Sequence, residues 1–493
     1  MPRTPLASLR INRRRALAAA AAATVGPWLA ACASPSATGA SATPTPAVTK
    51  TVLVFQPWQL AYGFQSLGSA VNELMYEATQ PFRDKHPSID LKMYGPQTNP
   101  VAATIAGAGP DVPQLQGGGG GIDGWLAGSL LLDLTPYIRK NNVDMSVFAA
   151  GQVATVTTDA GIFGLPNYMG TAAIVVNYSV LDTLGLAYPD QNWDYKAYAK
   201  FCRSVAGPLP KNGWRYGTTL DWSEYGPDAF YFNGFGGNIV DPTNPARCAL
   251  DGQAAIDAGN YLYGMIWDKS ARTGRVDATR FLQGEEVAPM AWVQQMLQWV
   301  TVWKGFKWDF YPMPTWPKGD YSMTNPNYFA INAATKEPDA AWELLQWLCA
   351  GPDWQRAMMK IVLLPPGYLP IWPEWLTIVR QVAPPLAHKN LEVFSAMVEK
   401  GHPIQVDGAH FKYADAQAKQ LLQPWTDRLT ARKLTVEAAF PQAANQITAF
   451  EAAAAREVAG GGKYAQAAKS VVAGLPDQLR QLPGLFPGGG RQP

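Results

Sequence analysis

TVLVFQPWQLAYGFQSLGSAVNELMYEATQPFRDKHPSIDLKM, residues 51–93, is the stretch from which the fold class follows. Thr51 to Phe55 is a short apolar run suited to a buried strand. Val71, Leu74, Met75, Ala78 and Phe82 then recur at the spacing of a helix face, and Ile89, Leu91 and Met93 alternate as in a second strand. Strand, helix and strand in this order predict a right-handed βαβ unit and a parallel sheet. Asp111 to Leu115 reads as the next strand. The glycines 117 to 121 leave its C-terminal end, where open α/β sheets take their ligands.

Downstream, Ile162 to Pro166 and Ala172 to Asn177 are expected as strands flanking a short loop, Asn167 to Gly170, and a helix is expected from about Asp194 to Val205. Asn325 to Asn332 is strand-like. Ala341, Leu344, Leu345 and Leu348 follow at helical spacing, with Pro338 and Asp339 suited to a first turn and Gly351-Pro352 to a stop. No internal repeat of 20 to 50 residues stands out. Elements alternate through the body, so the class is α/β.

Upstream, Arg3, Arg10, Arg13, Arg14 and Arg15 precede an uncharged, Ala-rich run from Ala16 to Ala31, the pattern of an export leader. The run is too short, and too broken by Gly26 and Pro27, for a permanent spanning helix of about 20 residues. It ends in Leu29-Ala30-Ala31-Cys32, which resembles a bacterial lipobox with Cys32 as the lipidated, mature N-terminus. Asn12-Arg13-Arg14-Arg15-Ala16-Leu17 resembles a twin-arginine signal, leaving both general and twin-arginine export open. Residues 33 to 49 are Ala, Ser, Thr, Pro, Gly and one Val, without charge or periodicity. They cannot bury enough apolar surface to order themselves and are expected to form a tether.

The leader holds five of the 40 basic residues and none of the 38 acidic ones, so the remaining chain is weakly acidic. With no basic stripe interleaved with aromatics, no nucleic-acid partner is expected. Beyond Cys32 the cysteines are Cys202, Cys248 and Cys349, an odd set that permits one disulfide at most. The body after the tether is long enough for two domains of ordinary size.

Several segments resemble the family 1 extracellular solute-binding proteins of ABC importers, the group that includes the maltodextrin-binding protein. They are Phe82 to Ile89, Gly109-Pro110-Asp111-Val112, Ala127-Gly128-Ser129-Leu130 with Leu134 to Ile138, and Thr158 to Pro166. Val176-Asn177-Tyr178, Leu184-Gly185-Leu186, Trp193, Phe235-Gly236-Gly237, Ala330-Ile331-Asn332 with Glu337 to Leu348, and Leu434 to Ala439 continue the likeness in the family's order. The resemblance implies a periplasmic-binding-protein-like fold of two lobes that close on a ligand about a hinge of crossing strands. Pro166 and Asn167 would mark the first crossing, Asn325 to Phe329 the second, and residues 396 to 410 the third. Residues 50–166 with 328–396 would form lobe I, and 167–327 with 397–493 lobe II. Expected partners are a small saccharide or polyol, the permease subunits of an ABC importer, and the membrane through the lipid anchor. A monomer without cofactor or metal, outside the cytoplasm, is expected.

A sugar has flat C–H faces and a rim of hydroxyl groups, so its site needs aromatic rings and carboxylates or amides. The chain has 18 Trp and 20 Tyr, most of them expected in cores. Position selects the exceptions. Trp58 and Gln59 follow the first strand, Gln116 follows the third, and Asn167 and Tyr168 lie in the expected hinge loop. Asp221, Trp222, Glu224 and Tyr225 precede Gly236-Gly237 where the family carries an acid and a ring on its sugar, and Trp292 with Gln294 follows Ala288-Pro289-Met290. Each has a structural alternative, a turn for the hinge pair and core packing for the tryptophans. The glycine run replaces the family's Trp and charged residues after Asp111, and it lacks the Lys-Ser/Thr of a phosphate loop. Inserts around 299–320 and 365–395, rich in Trp and Pro, have no clear family counterpart.

Competing readings are a secreted glycoside hydrolase, drafting Glu224 and Asp221 as its carboxylates, and a binding protein for glycerol phosphate or a metal. No nucleophile elbow or HExxH pattern is present, and His86, His388, His402 and His410 are scattered. A signalling lipoprotein on the same fold is a third reading.

Overall fold

The computed structural model describes residues 50–57, 69–94, 100–116, 125–126, 129–158, 160–210, 213–220, 227–274, 277–319, 325–400, 411 and 415–459, all within one unit, Lys50–Pro493. Two sheets organise them. β1 (Thr51–Gln56) pairs in parallel with β2 (Ile89–Met93) and with β3 (Val112–Gln116), the arrangement expected from the opening pattern. β4 (Leu165–Gly170) is the far edge of this first sheet. β5 (Ala172–Asn177), β6 (Met290–Trp292) and β7 (Trp308–Tyr311) form a second sheet of order β6-β5-β7, antiparallel throughout. β8 (Asn325–Phe329) returns to the first, whose order is β2-β1-β3-β8-β4, and runs antiparallel between β3 and β4.

One side of the first sheet is sealed by Leu53, Phe55, Leu91, Val112 and Phe329, packed with Leu344, Leu345 and Leu348 of the Pro338–Cys349 helix and Trp354 and Met358 of the Pro352–Ile361 helix. Pro338 occupies that first helix's opening turn and the helix stops before Gly351, as its sequence requires. Two of the recurring motifs explain each other here. Asp111 accepts from Val54 N (2.9 Å) and from Thr335 Oγ1 (2.6 Å), while Asn332 Nδ2 donates to Pro110 O (3.2 Å). The Gly-Pro-Asp turn and the Ala-Ile-Asn segment are thus the two halves of one clasp at the sheet's core.

β5 is apolar at every position from Ala172 to Val176 because both its faces are covered. Ala172, Ile174 and Val176 face a large core built with the Tyr195–Val205, Gln253–Trp267 and Val436–Ala459 helices. Ala173 and Val175 face a separate aromatic cluster. Asn177 ends the strand and caps the next helix, accepting from Val180 N at 3.1 Å, and Gly185 in the left-handed region closes that helix. Asp194 caps the Tyr195–Val205 helix in the same way.

The loop expected at Asn167–Gly170 is strand instead. β4 continues through these residues because β8 pairs along them, Asn327 opposite Tyr168 and Asn325 opposite Gly170. The chain leaves the first sheet and enters the second across the single buried residue Thr171.

Cys202 and Cys248, in the large core, and Cys349, in the core of the first sheet, are free, buried thiols. Burial pushes Cys248 up to about 12 and Cys202 and Cys349 up as well. Among the described residues no helix is long and apolar enough to cross a membrane.

Candidate functional site

The C-terminal ends of β1, β3 and β4 and the N-terminal end of β8 lie on one rim of the first sheet, and the register sets polar residues in a row across it. Gln116, Asn327 and Tyr168 are level on adjacent strands. Gln56 ends β1, and Gln152 reaches in from its helix to donate to Tyr168 O at 3.0 Å.

Asn167 is where the pairing slips. β8 advances one residue, Asn327 to Tyr328, while β4 moves two, Tyr168 to Pro166, so Asn167 is a bulge with no opposite number. Bulges of this kind re-aim a side chain out of the ladder. Its carbonyl is satisfied from outside the sheet. Pro365, Pro366 and Gly367 lie along β4, with Met169 N donating to Pro365 O (3.2 Å) and Gly367 N to Asn167 O (2.9 Å). Gly367 has to be glycine, since a Cβ there would sit 2.8 Å from the Asn167 carbonyl.

Asn167 and Gln56 are each 2% exposed, yet Asn167 Oδ1 and Gln56 Nε2 have no hydrogen-bond partner among the described residues. Leaving one such atom unpaired costs about 1–3 kcal/mol, which makes this acceptor at the bulge and this donor at the end of β1 candidates for bonds to a ligand.

From the second sheet, Trp292 ends β6 opposite Ala172, one residue from the crossing, and Val293 N donates to Thr171 O at 2.9 Å. Its ring packs on the large core with part of its surface open. Gln294 follows, its Oε1 also buried without a partner among the described residues. Four sequence candidates therefore flank the crossing along the chain and the sheets, Asn167 and Tyr168 on the β4 side and Trp292 and Gln294 on the β6 side. Tyr168, 2% exposed, belongs to the core of the first sheet. Pro166 and Phe329 lie level with Tyr328 and Leu165 inside the first sheet, and Asn325 begins β8.

Trp58, Gln59, Asp221, Trp222, Glu224, Tyr225 and Cys32 lie outside the described residues, as do the side chains of Gln116 and Asn325. The strand Thr218–Leu220 that leads to Asp221 is itself well held. It pairs in parallel with Ala271–Thr273, and beside it the fully buried Glu286 is ion-paired with Arg272. Burial pushes the Glu286 carboxyl above its usual range, with the arginine opposing.

Sequence reasoning passed over Gln56, Gln152 and Gly367. Gln56 stood one strand residue short of the expected Trp58-Gln59 pair. The Pro-Pro-Gly at 365–367 is visible as a turn signal, but nothing in its neighbours tells that it lies against Asn167. Among the described residues no group of His, Cys, Asp and Glu could hold a metal ion.

The model of the bacterial extracellular solute-binding protein family matches residues 63–350, more than half of the chain. A search of curated protein sequences gave no match. Among solved structures, an ABC substrate-binding protein from Listeria monocytogenes in complex with cycloalternan is similar with a TM-score of 0.65 and 16% identity, over 84% of this chain and 100% of that one. The sugar-binding protein MalE from Xanthomonas citri is similar with a TM-score of 0.64 and 18% identity, over 82% and 98%. UgpB from Mycobacterium tuberculosis in complex with glycerophosphocholine gives 0.63 and 17%, over 81% and 98%. The fold is the two-lobed α/β architecture of these proteins.

Proposed function

Since the chain belongs to the bacterial extracellular solute-binding protein family, we propose that it captures a saccharide or related polyol outside the cytoplasm and hands it to the permease of an ABC importer. The observation that carries this reading is the pairing, across Thr171, of unpartnered buried amides with a part-exposed tryptophan. Amides present both a donor and an acceptor to ring hydroxyls, and an indole covers a sugar's C–H face. Relatives of this fold solved with cycloalternan and glycerophosphocholine support a polyhydroxylated ligand, and the second keeps a glycerol phosphodiester as the rival cargo.

In this reading the lobes follow the expected division, 50–166 with 328–396 and 167–327 with 397–493, shifted so that β4 to Gly170 and β8 from Asn325 stay whole in the first sheet. Pro166, Asn325 and Phe329, with Thr171, lie on the segments that bend. Trp58, Gln59, Gln116, Asp221, Trp222, Glu224 and Tyr225 complete the cleft. Ligand contacts made from both lobes only in the closed form shift the population toward it, and the importer reads that form. Cys32 carries the lipid anchor, the protein acts as a monomer, and the ligand leaves chemically unchanged.

Thermal-shift screening of the purified protein against mono- and oligosaccharides, with glycerophosphocholine alongside, tests the proposal. A true ligand at 100 times its Kd adds about 2.7 kcal/mol to stability. A shift with a saccharide supports the reading; a shift with glycerophosphocholine alone would replace the cargo, and turnover of the bound sugar would replace the function.

A further inference from the structure

The two Trp- and Pro-rich inserts, far apart in sequence, meet. Trp299, Trp303, Trp308 and Phe310 of the first pack with Ile371, Trp375, Val379, Leu386 and Phe394 of the second in one buried cluster, on the face of β5 that shows Ala173 and Val175. Trp299 and Trp303 stack at 4.9 Å, and Phe310 meets Phe394 edge-on at 4.9 Å.

The second insert reaches that cluster from the first sheet. One side of the Pro352–Ile361 helix, with Trp354 and Met358, belongs to the first sheet's core. Met359 and Leu363 belong to the insert cluster. The turn between the two is made at Leu363, a buried branched residue with φ of 61°, where a left-handed backbone persists only if its surroundings enforce it. Trp375 Nε1 holds that corner by donating to Leu363 O at 3.1 Å.

Polar fasteners secure both ends. Arg356 grips Glu374 with two bonds of 2.7 and 2.6 Å, tying the Pro352–Ile361 helix to the Glu374–Val382 helix. At the other end Asn390 N donates to Asp309 Oδ1 at 2.8 Å and Lys389 Nζ to Trp308 O, both on β7 of the second sheet. Pro365–Gly367 between them lies along β4. Residues 352–394 thus run from one sheet to the other beside the passage from β4 to β5.

We propose that residues 352–394 are a brace that limits how far the two sheets open, so that the unliganded protein occupies one narrow conformation, still able to close, instead of a broad open ensemble. A site kept near its binding geometry loses less freedom when the ligand arrives, which raises affinity without a new contact. The inference rests on the reading of the β4–β5 passage as the hinge of a binding protein.

Distances between spin labels on Lys85→Cys and Lys200→Cys test it in the full chain carrying Cys32→Ser and without ligand. Both lysines are exposed, one on the Gln80–Lys85 helix of the first sheet's core and one on the Tyr195–Val205 helix of the second. The expected result is a single narrow distance peak whose width at least doubles on adding Arg356→Ala and Lys389→Ala, which delete the side-chain fasteners at the two ends. If that pair does not fold, Lys389→Ala alone is read for the same broadening. A broad or multiple distribution without the loosening substitutions overturns the brace, and so does a peak that stays narrow with them. Ligand binding is scored separately by thermal shift, so a failed brace leaves the proposed function standing, and a failed ligand screen leaves the distances unexplained by any hinge.

Discussion

Gly367 lies directly against Asn167, its amide donating to the Asn167 carbonyl at 2.9 Å in a space that admits no side-chain carbon. Gly367→Ala should therefore push the bulge out of place, costing about 1–3 kcal/mol as overpacked substitutions do and weakening ligand binding with it. Asn167→Ala separates the two effects. It deletes a buried acceptor that has no partner, so the melting temperature should hold or rise while affinity falls at least about tenfold. Calorimetric titration beside thermal melts reads both; a variant that melts early and binds normally would make Asn167 purely structural.

Trp292 and Trp299 offer a second contrast between site and core. Trp299 is 1% exposed within the insert cluster, and Trp299→Ala should cost about 3–5 kcal/mol. Trp292 is only part-buried, so Trp292→Ala should cost less stability than that and more affinity. Equal losses of stability for the two would place Trp292 in the core and remove it from the cleft.

Asp309 sets a pH dependence. Burial holds its carboxyl above the usual aspartate range, with bonds from the Asn390 and Phe310 amides opposing. A raised folded value means that its contribution is fully present below about pH 3.8 and is lost as pH climbs through the folded value. Asp309→Asn has no such loss and should gain on the unsubstituted protein between pH 4 and 7. Melting temperatures across that range check the sign, and a gain toward acid pH instead would contradict it.

The thiols report on processing. Cys202, Cys248 and Cys349 are buried with raised pKa values, so native protein should be inert to a thiol reagent. On the proposed lipidation of Cys32, unfolded protein purified from membranes should release three reactive thiols, against four for the unprocessed chain. Four in the membrane-derived protein would exclude the anchor.

Much of this was legible locally. The βαβ opening, the helix from about Asp194 to Val205 and the Pro338 and Gly351 bounds follow from neighbours a few residues apart. The Asn167–Gly170 segment was misread as a loop because Pro166, Asn167 and Gly170 are turn residues by local preference. Pairing with β8, over 150 positions later, overrides that preference. The meeting of the two inserts was hidden for the same reason. Tryptophan content shows that a segment must be buried, and only the fold shows against what. Asn167 and Trp292 are candidates by position and lie near either side of Thr171, whereas the free polar atom of Gln56 becomes visible only once its strand neighbours are known.

The place of β8 has a consequence for how the chain is made. The strand that joins β3 to β4 in the first sheet is not synthesised until residue 325, so until then β3 and β4 each present an open edge to whatever is near. A nascent chain cut off before that point holds a sheet with a missing inner slat, prone to pairing with foreign strands. Maturation of this half must wait for the last third of translation.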